Sequence, residues 1–391
     1  MTIRNLEHFF APKAITIIGA SERPASVGSM LTRNVIAGGF GGAVFAVNPK
    51  HATVHGIASL RSVDALPAAP GLAVIATPPE TVPGLIAELG AKGCKAAVVL
   101  TAGFGEGGET RGRELRQAML NAARPHLLRI IGPNCLGILM PHARLDASFA
   151  GTAALPGRIA FVTQSGAIAT AVIDWATTRG VGFSHVLTLG DMADVDFGDC
   201  LDYLGREPSA KAIILYVEAI TDARKFMSAA RAAARAKPVV VVKAGRFAEG
   251  AKAAASHTGA LAGSDRVYDA ALNRAGLLRV LSLEELFEAV ETLSKIVPGH
   301  GERLAILTNG GGAGVLATDA LIEQGGRLAA LSPDTLARLD RVLPRTWSHA
   351  NPVDVIGDAG AERYRAALEP LLQDAGVDAV LVLNCPTAIT P

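Results

Sequence analysis

The sequence contains few cysteines, and they show neither a disulfide nor a metal-binding pattern. Only four occur among the 391 residues, at Cys94, Cys135, Cys200 and Cys385, and they are far apart. A chain of this length with so few cysteines is not a disulfide scaffold, and zinc sites need cysteines or histidines at short spacings. We therefore expect no structural disulfide and no metal ligand set in this chain.

An excess of one charge and long apolar runs are also absent. The 37 lysines and arginines nearly balance the 36 aspartates and glutamates, which leaves a net charge of +1. Such a balance gives no reason to expect nucleic acid or an acidic membrane surface as a partner. The N-terminus has no signal-peptide pattern, and no apolar run approaches the roughly 20 residues that span a bilayer. The sequence therefore predicts a soluble, cytoplasmic protein.

Aliphatic residues dominate what the chain does contain. Half of it (50%) is hydrophobic, yet only 5% is aromatic, so its cores are built from Ala, Val, Leu and Ile. Short β-branched runs alternate with longer segments rich in Ala, Leu and Arg, as in α/β proteins whose parallel strands are buried on both faces. The predicted strands lie at 14–20, 43–49, 72–78, 96–103, 159–166, 185–190, 212–218, 238–245, 304–311 and 378–384.

The chain also contains an internal repeat. Residues 159–172, IAFVTQSGAIATAV, align without a gap on residues 304–317, LAILTNGGGAGVLA. Each copy reads as a strand, a turn with an amide residue and glycine, and a helix, which favours doubly wound parallel sheets over a closed barrel. Turn-rich stretches separate three predicted domains, at 1–147, 151–298 and 301–391. The last holds few strands before the chain stops, so we expect it to be incomplete.

The first domain carries features of a phosphate-binding groove. A glycine turn follows the first strand, in IIGASERPASVGS at 17–29, and can present backbone N–H groups to a phosphate. The Gly-x-Gly-x-x-Gly fingerprint is absent, and the second strand ends with Lys50 where an NAD site needs an acid. Lys50 either pairs with a phosphate or is an exposed surface lysine. The missing fingerprint and Lys50 disfavour NAD. Together with the strand ends at 76–79 and 100–106, the glycine turn predicts an extended ligand with a phosphorylated nucleotide end.

The whole chain resembles the α-subunit portion of the nucleoside-diphosphate-forming acyl-CoA synthetases, the superfamily that includes succinyl-CoA synthetase. The resemblance rests on GAS (19–21), VNPK (47–50), GPNCLG (132–137), TQSGA (163–167), YVE (216–218) and SHTGALAG (256–263). It implies a Rossmann-like CoA-binding domain followed by two flavodoxin-like doubly wound domains. One departure is ERPASVG at 22–28, where relatives commonly carry a Gly-Lys pair. That departure puts one phosphate contact to CoA in question.

The resemblance also gives roles to individual residues. Alone, His257 among small residues reads as part of a surface loop; the resemblance makes it the phosphoryl carrier, a role that suits a nucleophile neutral near pH 7. Glu218 would fix the imidazole tautomer, or is a satisfied strand-end carboxylate. Ser165 and Gly166, at a strand-to-helix turn, would bind phosphate together with Gly259, although Ser165 alone would suit a helix cap. The implied CoA-binding residues are Gly19, Ser21, Asn48, Lys50, Thr77, Pro78, Thr101, Asn134 and Cys135.

Two sets of residues near this site have predicted roles of a different kind. Cys135 is expected to line the CoA groove rather than act as a nucleophile, since the sequence shows no histidine or asparagine partner for it. Asp191 and Asp194 are expected to shape a loop, with direct contact to the site as the alternative.

The implied reaction is acid + CoA + ATP to acyl-CoA + ADP + phosphate, in either direction. ATP or ADP and Mg²⁺ would bind mainly to an ATP-grasp module, which no segment here resembles. That module would lie in a β-type subunit or in a missing C-terminal region, and we expect a homo- or hetero-oligomer. The alternative is a CoA-sensing regulatory module of a protein lysine acetyltransferase, although the retained His257 favours the enzyme. The acid stays open among acetate, other short-chain acids and aryl acids.

Overall fold

The computed structural model describes residues 3–106, 108–247, 249–250, 264–295 and 301–387. The chain forms two compact units, 1–296 and 297–391. In the described ranges, no helix is both long and apolar enough to cross a membrane. The predicted α/β class with parallel sheets is confirmed, and each predicted run contains a strand.

The first sheet of the larger unit has seven strands in the order β3-β4-β2-β1-β5-β6-β7. All its pairs are parallel except β3 with β4. Its strands are β1 Ala14–Ile18, β2 Ala43–Val47, β3 Thr53–Val54, β4 Ile57–Leu60, β5 Leu72–Ile75, β6 Ala96–Val99 and β7 Arg129–Ile131. The helices are α1 Glu7–Phe10, α2 Val27–Gly38, α3 Val82–Ala91 and α4 Thr110–Ala123. The order reverses between β1 and β5, and ligands of open α/β sheets bind at such a switch point.

The second sheet of this unit also has seven strands, in the order β14-β13-β12-β10-β11-β8-β9. Its strands are β8 Gly137–Met140, β9 Leu145–Ser148, β10 Pro156–Thr163, β11 Phe183–Thr188, β12 Ala212–Val217, β13 Val239–Lys243 and β14 Leu278–Val280. The helices are α5 Gly166–Thr178, α6 Phe197–Leu204, α7 Ala223–Ala236, α8 Asp265–Ala275 and α9 Leu283–Lys295. Here the switch point lies between β10 and β12.

The two sheets are closely joined within the unit. Strand β8 and all but the last residue of β9 fall in the stretch 1–147, yet β8 pairs antiparallel with β11 and with β9. One buried cluster contains Ile17 and Val98 of the first sheet together with Leu187 and Ile213 of the second. The three domain ranges stay a prediction, because these layers share one core.

The smaller unit repeats the centre of the second sheet. Its strand β15 (Arg303–Thr308) pairs in parallel with β16 (Arg327–Leu328), β17 (Val353–Asp354) and β18 (Ala379–Leu383). The helices are α10 Gly311–Glu323, α11 Pro333–Val342 and α12 Ala361–Gln373. Leu304 stands opposite Ala379, as Ile159 stands opposite Ala212 in the second sheet. The predicted incompleteness of this unit stays a prediction.

Candidate active site

Glycines shape the turn at the switch point of the first sheet. Gly19, just past β1, has φ +91°, and a β-carbon on it would lie 2.5 Å from the carbonyl oxygen of Ala76. A β-carbon on Gly28 would lie 2.0 Å from the carbonyl oxygen of Gly19. Ser26 caps α2 by accepting a hydrogen bond from the Ser29 N–H at 3.3 Å. The backbone of the turn therefore forms a closely packed floor at the start of a helix, where anions are favoured.

The side chains predicted to contact CoA near this turn also organise the backbone. Asn48 donates to the carbonyl of Ala20 at 2.7 Å and accepts from the Lys50 N–H at 2.7 Å. Ser21 accepts from the Arg23 N–H at 3.0 Å. Asn48 thus links the ends of β1 and β2, and it leaves the exposed Lys50 at the same edge of the sheet.

The ends of β5, β6 and β7 are tied to one another at this edge. The Thr101 hydroxyl donates to the carbonyl of Thr77 at 2.7 Å, and the Asn134 N–H donates to the carbonyl of Thr101 at 2.9 Å. The Thr77 and Thr81 hydroxyls are 2.8 Å apart, and the Pro78 carbonyl accepts from the Thr81 N–H. The predicted residues Thr77, Pro78, Thr101 and Asn134 therefore lie together along the carboxyl ends of neighbouring strands.

Cys135 is buried beneath this edge. Its thiol donates to the carbonyl of Val99 at 3.4 Å, and only 3% of the residue is exposed. Burial raises the pKa of the Cys135 thiol to about 12. A thiol with such a pKa stays protonated at neutral pH, and the thiolate is the nucleophilic form. This environment argues against a role for Cys135 as a nucleophile.

Ser165 and Gly166 lie where β10 passes into α5. The Thr163 hydroxyl accepts from the Ser165 N–H at 3.0 Å and donates to the Ser165 carbonyl at 3.2 Å. Ser165 is the N-cap of α5, and its hydroxyl accepts from the Ile168 N–H at 3.3 Å. The capping role is thus present, and the other first-turn N–H groups of this 13-residue helix remain at the edge of the sheet.

Glu218 lies across the switch point from Ser165. It follows β12 directly and is half-buried. The Gln164 side-chain oxygen accepts from the Glu218 N–H at 2.7 Å and from the Ala219 N–H at 2.8 Å. Gln164 therefore joins the corner that carries Glu218 to the turn that carries Ser165. In the sequence, Gln164 stands within TQSGA, and no local pattern predicted this role for it.

Lys243 is a further charged group near Glu218 that was not predicted from the sequence. It ends β13, opposite Val217 of β12, and only 6% of it is exposed. Burial lowers its pKa, while the carboxylates of Asp265 and Glu218 act in the opposite direction. Its ammonium lies 4.6 Å from the centre of the Tyr268 ring. The only signal in the sequence was a single lysine at the end of a run of four valines.

The loop after β11, which carries Asp191 and Asp194, bonds to the first sheet. Asp194 accepts from the Arg129 Nε and from the Ile130 N–H, both at 2.9 Å. The N–H groups of Asp191, Ala193 and Val195 donate to the carbonyls of Pro133, Gly132 and Ile130, each at 3.0 Å. The loop is therefore bonded along the edge of β7.

Asp191 itself reaches the edge where the CoA-binding residues were predicted. The Asn134 side chain donates to its carboxylate at 3.3 Å. Burial and the neighbouring Glu106 carboxylate raise the pKa of Asp191 to about 7. Glu106 accepts from the Gly103 N–H at 2.8 Å and was not singled out in the sequence. A carboxyl group with a pKa of about 7 therefore lies beside Asn134, one of the predicted CoA-binding residues.

His257 and Gly259 lie outside the described residues. Of the other predicted site residues, Ser165, Gly166 and Glu218 lie together at the switch point of the second sheet. The predicted CoA-binding residues lie at the switch point of the first sheet. Among the residues that it describes, no group of three or more His, Cys, Asp or Glu side chains is arranged to hold a metal ion.

Three family models match the chain in succession. They describe a CoA-binding domain at residues 13–141, a succinyl-CoA ligase-like flavodoxin domain at 156–293 and a ligase-CoA domain at 304–391. The first range contains the glycine turn, and the second contains the corner of Ser165 and Glu218.

Curated relatives match along nearly the whole chain. The ADP-forming acetate–CoA ligase I of Archaeoglobus fulgidus is 42% identical over 98% of this chain, which spans 55% of that relative's length. The α subunit of ADP-forming acetate–CoA ligase I of Pyrococcus furiosus is 38% identical over 98% of this chain and 84% of its own. The chain thus spans about half of the longer relative and most of the α subunit.

A solved structure agrees with these relatives. It is described as the dinucleotide-forming acetyl-coenzyme A synthetase 1 of Ca. Korarchaeum cryptofilum in complex with phosphate and ADP. Its TM-score is 0.92 at 38% identity, over 98% of this chain and 83% of that one. From this fold, and from the identity to an α subunit along most of its length, the chain belongs to the family of the ADP-forming acetate–CoA ligases, in their α-type part.

Proposed function

We propose that this chain is the α-type part of an ADP-forming acyl-CoA synthetase, which converts an acid, CoA and ATP to acyl-CoA, ADP and phosphate. One observation carries the proposal. The N-terminus of α5 and the chain segment that carries Glu218 lie on either side of one switch point. The side chain of Gln164 joins them through a hydrogen bond. An anion-binding helix end beside a carboxylate suits a phosphoryl group held next to a histidine.

CoA is proposed to bind at the edge of the first sheet. The residues fit an extended phosphorylated ligand, because the close approach of Gly19 and Gly28 sets the turn after β1 against the N-terminus of α2, where an anion is favoured. The exposed Lys50 would pair with a phosphate, with Ser21 and Asn48 beside it. Thr77, Pro78, Thr101 and Asn134 would line the path toward the second sheet, and the buried Cys135 would lie beneath them.

The proposed chemistry proceeds through two intermediates. In the direction of acid release, phosphate attacks the acyl carbon of acyl-CoA, and the thiol of CoA leaves with a proton. A ring nitrogen of His257 then attacks the phosphorus of the acyl phosphate, and the carboxylate leaves. Glu218 would accept a hydrogen bond from the other ring nitrogen, while Ser165, Gly166 and Gly259 would bind the phosphoryl oxygens.

The nucleotide step is proposed to need a second module. ADP and Mg²⁺ would bind to an ATP-grasp module, either in a β-type subunit or further along a longer polypeptide. Both arrangements have a counterpart among the relatives, one an α subunit and the other a longer chain. The ligase names of these relatives support the enzyme over a regulatory acetyltransferase module, and they make acetate the first acid to test.

Labelling of the histidine tests the proposal. The purified chain is incubated with acetyl-CoA and radiolabelled phosphate, and acid-labile protein-bound label is counted. We expect label on the wild type and none on His257→Asn, with unchanged CoA affinity by calorimetry. Equal labelling of both proteins would remove His257 from the mechanism. If neither is labelled even with acetyl phosphate as donor, the proposed function fails.

A further inference from the structure

The same hydrogen-bonded corner occurs in both copies of the internal repeat. In the second sheet, Gln164 follows the last residue of β10 and accepts from the N–H groups of Glu218 and Ala219. In the smaller unit, Asn309 follows β15, accepts from the Cys385 N–H at 2.7 Å and donates to the Cys385 carbonyl at 2.9 Å. The register places Cys385 where Glu218 stands.

The threonine before each amide is used in the same way. Thr163 bonds both the N–H and the carbonyl of Ser165, and Thr308 bonds those of Gly310 at 3.1 and 3.2 Å. The threonine therefore fixes the turn into the helix, and the amide fixes the residue beyond the neighbouring strand. Two adjacent side chains thus set the geometry on both sides of a switch point.

Gln164 is needed because the sheet ends before Glu218. The last pair between β10 and β12 is Thr163 with Tyr216. Beyond it, the N–H groups of Glu218 and Ala219 donate to the side-chain oxygen of Gln164, a residue that is only 7% exposed. A buried N–H that loses its acceptor destabilises the fold, because the loss of its water contacts is no longer offset by a hydrogen bond. The side-chain oxygen of Gln164 therefore holds the backbone at Glu218 and Ala219.

We infer that Gln164 is a positioning residue for phosphoryl transfer, which acts by holding Glu218 in place beside the N-terminus of α5. The inference rests on the proposed function, since it assigns Glu218 to the histidine. Gln164 contacts no reacting atom in this scheme. Its effect on the reaction passes through Glu218, which makes a double-mutant cycle the decisive experiment.

The cycle uses Gln164→Met, which keeps the length of the side chain but removes the acceptor, in the wild-type and Glu218→Gln backgrounds. The full chain is labelled from acetyl-CoA and phosphate, and the rate of phosphohistidine formation is measured. We expect Gln164→Met to slow labelling about tenfold or more in the wild-type background. It should add no further slowing in Glu218→Gln, and CoA affinity should stay within about twofold.

A matched control is Asn34→Leu. The Asn34 side chain is also partly buried and bonds two backbone groups, the carbonyls of Ser148 and Ala150, away from this corner. We expect it to lower the melting temperature as Gln164→Met does and to leave the labelling rate unchanged. This separates positioning from general destabilisation.

The outcomes distinguish this inference from the proposed function. Wild-type labelling together with equal slowing in both backgrounds, or no slowing in either, would overturn the role of Gln164 alone. Absence of label on the wild type would instead remove the proposed function. Should Gln164→Met not fold, Gln164→Asn, which retracts the acceptor by one methylene, completes the same cycle with the same expected pattern.

Discussion

Gly28 packs directly against Gly19, so that a β-carbon on Gly28 would lie 2.0 Å from the Gly19 carbonyl oxygen. The atom in the way belongs to the backbone and cannot rotate aside, unlike the end of a flexible side chain. The turn after β1 and the first turn of α2 must therefore separate before any side chain fits.

We accordingly predict that Gly28→Ala lowers CoA affinity at least about tenfold and destabilises the fold by about 1–3 kcal/mol, as overpacking does. Calorimetry and thermal unfolding measure the two effects. Gly84→Ala in α3 is the matched control, because nothing lies within 4 Å of its β-carbon position. The control should bind CoA normally. Normal CoA binding by Gly28→Ala would mean that this turn does not form the ligand floor.

Lys50→Glu should weaken CoA binding by about 1–3 kcal/mol, because it replaces a phosphate partner with a repelling carboxylate. The wild type should bind no measurable NAD in the same titration. Lys13→Glu serves as the comparison, since this exposed lysine precedes β1 at the opposite edge of the sheet. An equal loss from both variants would point to overall charge rather than a local contact, and tight NAD binding would contradict the assignment of the first sheet.

Asp191→Asn should stabilise the protein at pH 8 and have little effect near pH 4. Burial and Glu106 raise the pKa of Asp191 from 3.8 to about 7 in the folded protein. Between these values the unfolded chain loses the proton that the folded protein keeps, so stability falls as the pH rises toward 7. Removing the ionisable group removes that loss. Melting temperatures should differ by a few degrees at pH 8. The exposed Asp64→Asn should show no such trend, and a wild-type-like pH profile for Asp191→Asn would refute the prediction.

His185 should make the stability of the protein depend on pH in the direction opposite to that of Asp191. Burial lowers its pKa from 6.5 to about 4, and the ring packs edge-on against Phe10 at 5.5 Å. As the pH falls from 6.5 to 4, the unfolded chain takes up a proton that the folded protein resists, so stability is lost over this window. His185→Leu should therefore lose less melting temperature on acidification than the wild type. The exposed His51→Leu should follow the wild type, and parallel curves for all three proteins would exclude His185 as a cause.

The chain numbered 1–391 should not complete the synthetase cycle alone, because no segment of it resembles an ATP-grasp module. Acetate, CoA, ATP and Mg²⁺ are added to the purified chain, and release of ADP and phosphate is followed. Addition of an ADP-forming β-type subunit should restore turnover if the two are compatible. Sustained turnover by the chain alone would show that its nucleotide site has been misplaced.

The central strands were predictable because they are short apolar runs buried on both faces. Their carboxyl ends were predictable as site edges, since parallel strands end on the same side. Strands β8 and β9 were not predicted, because β8 takes its place by pairing with the distant strand β11, and β9 by pairing with β8, rather than by any local pattern.

The links between site residues were harder to read from the sequence. Gln164 and Glu218 are 54 positions apart, and only the strand order that puts β12 next to β10 brings them together. Asp191 and Glu106 belong to loops of different sheets, so neither loop alone indicates that the two carboxyl groups are neighbours. For His257, the predicted role came from its sequence motif alone, because the residue lies outside the described residues.

The bonding of the loop after β11 along β7 also determines how the larger unit can open. The amides of Ala193 and Val195 donate to carbonyls of the first sheet, although they follow a strand of the second. In native-state hydrogen exchange, these two amides should therefore exchange together with those that depend on β7, rather than with the amides of β11. A hinge motion between the two sheets at this loop would first have to break these hydrogen bonds. The loop therefore holds the two sheets together rather than allowing them to move apart.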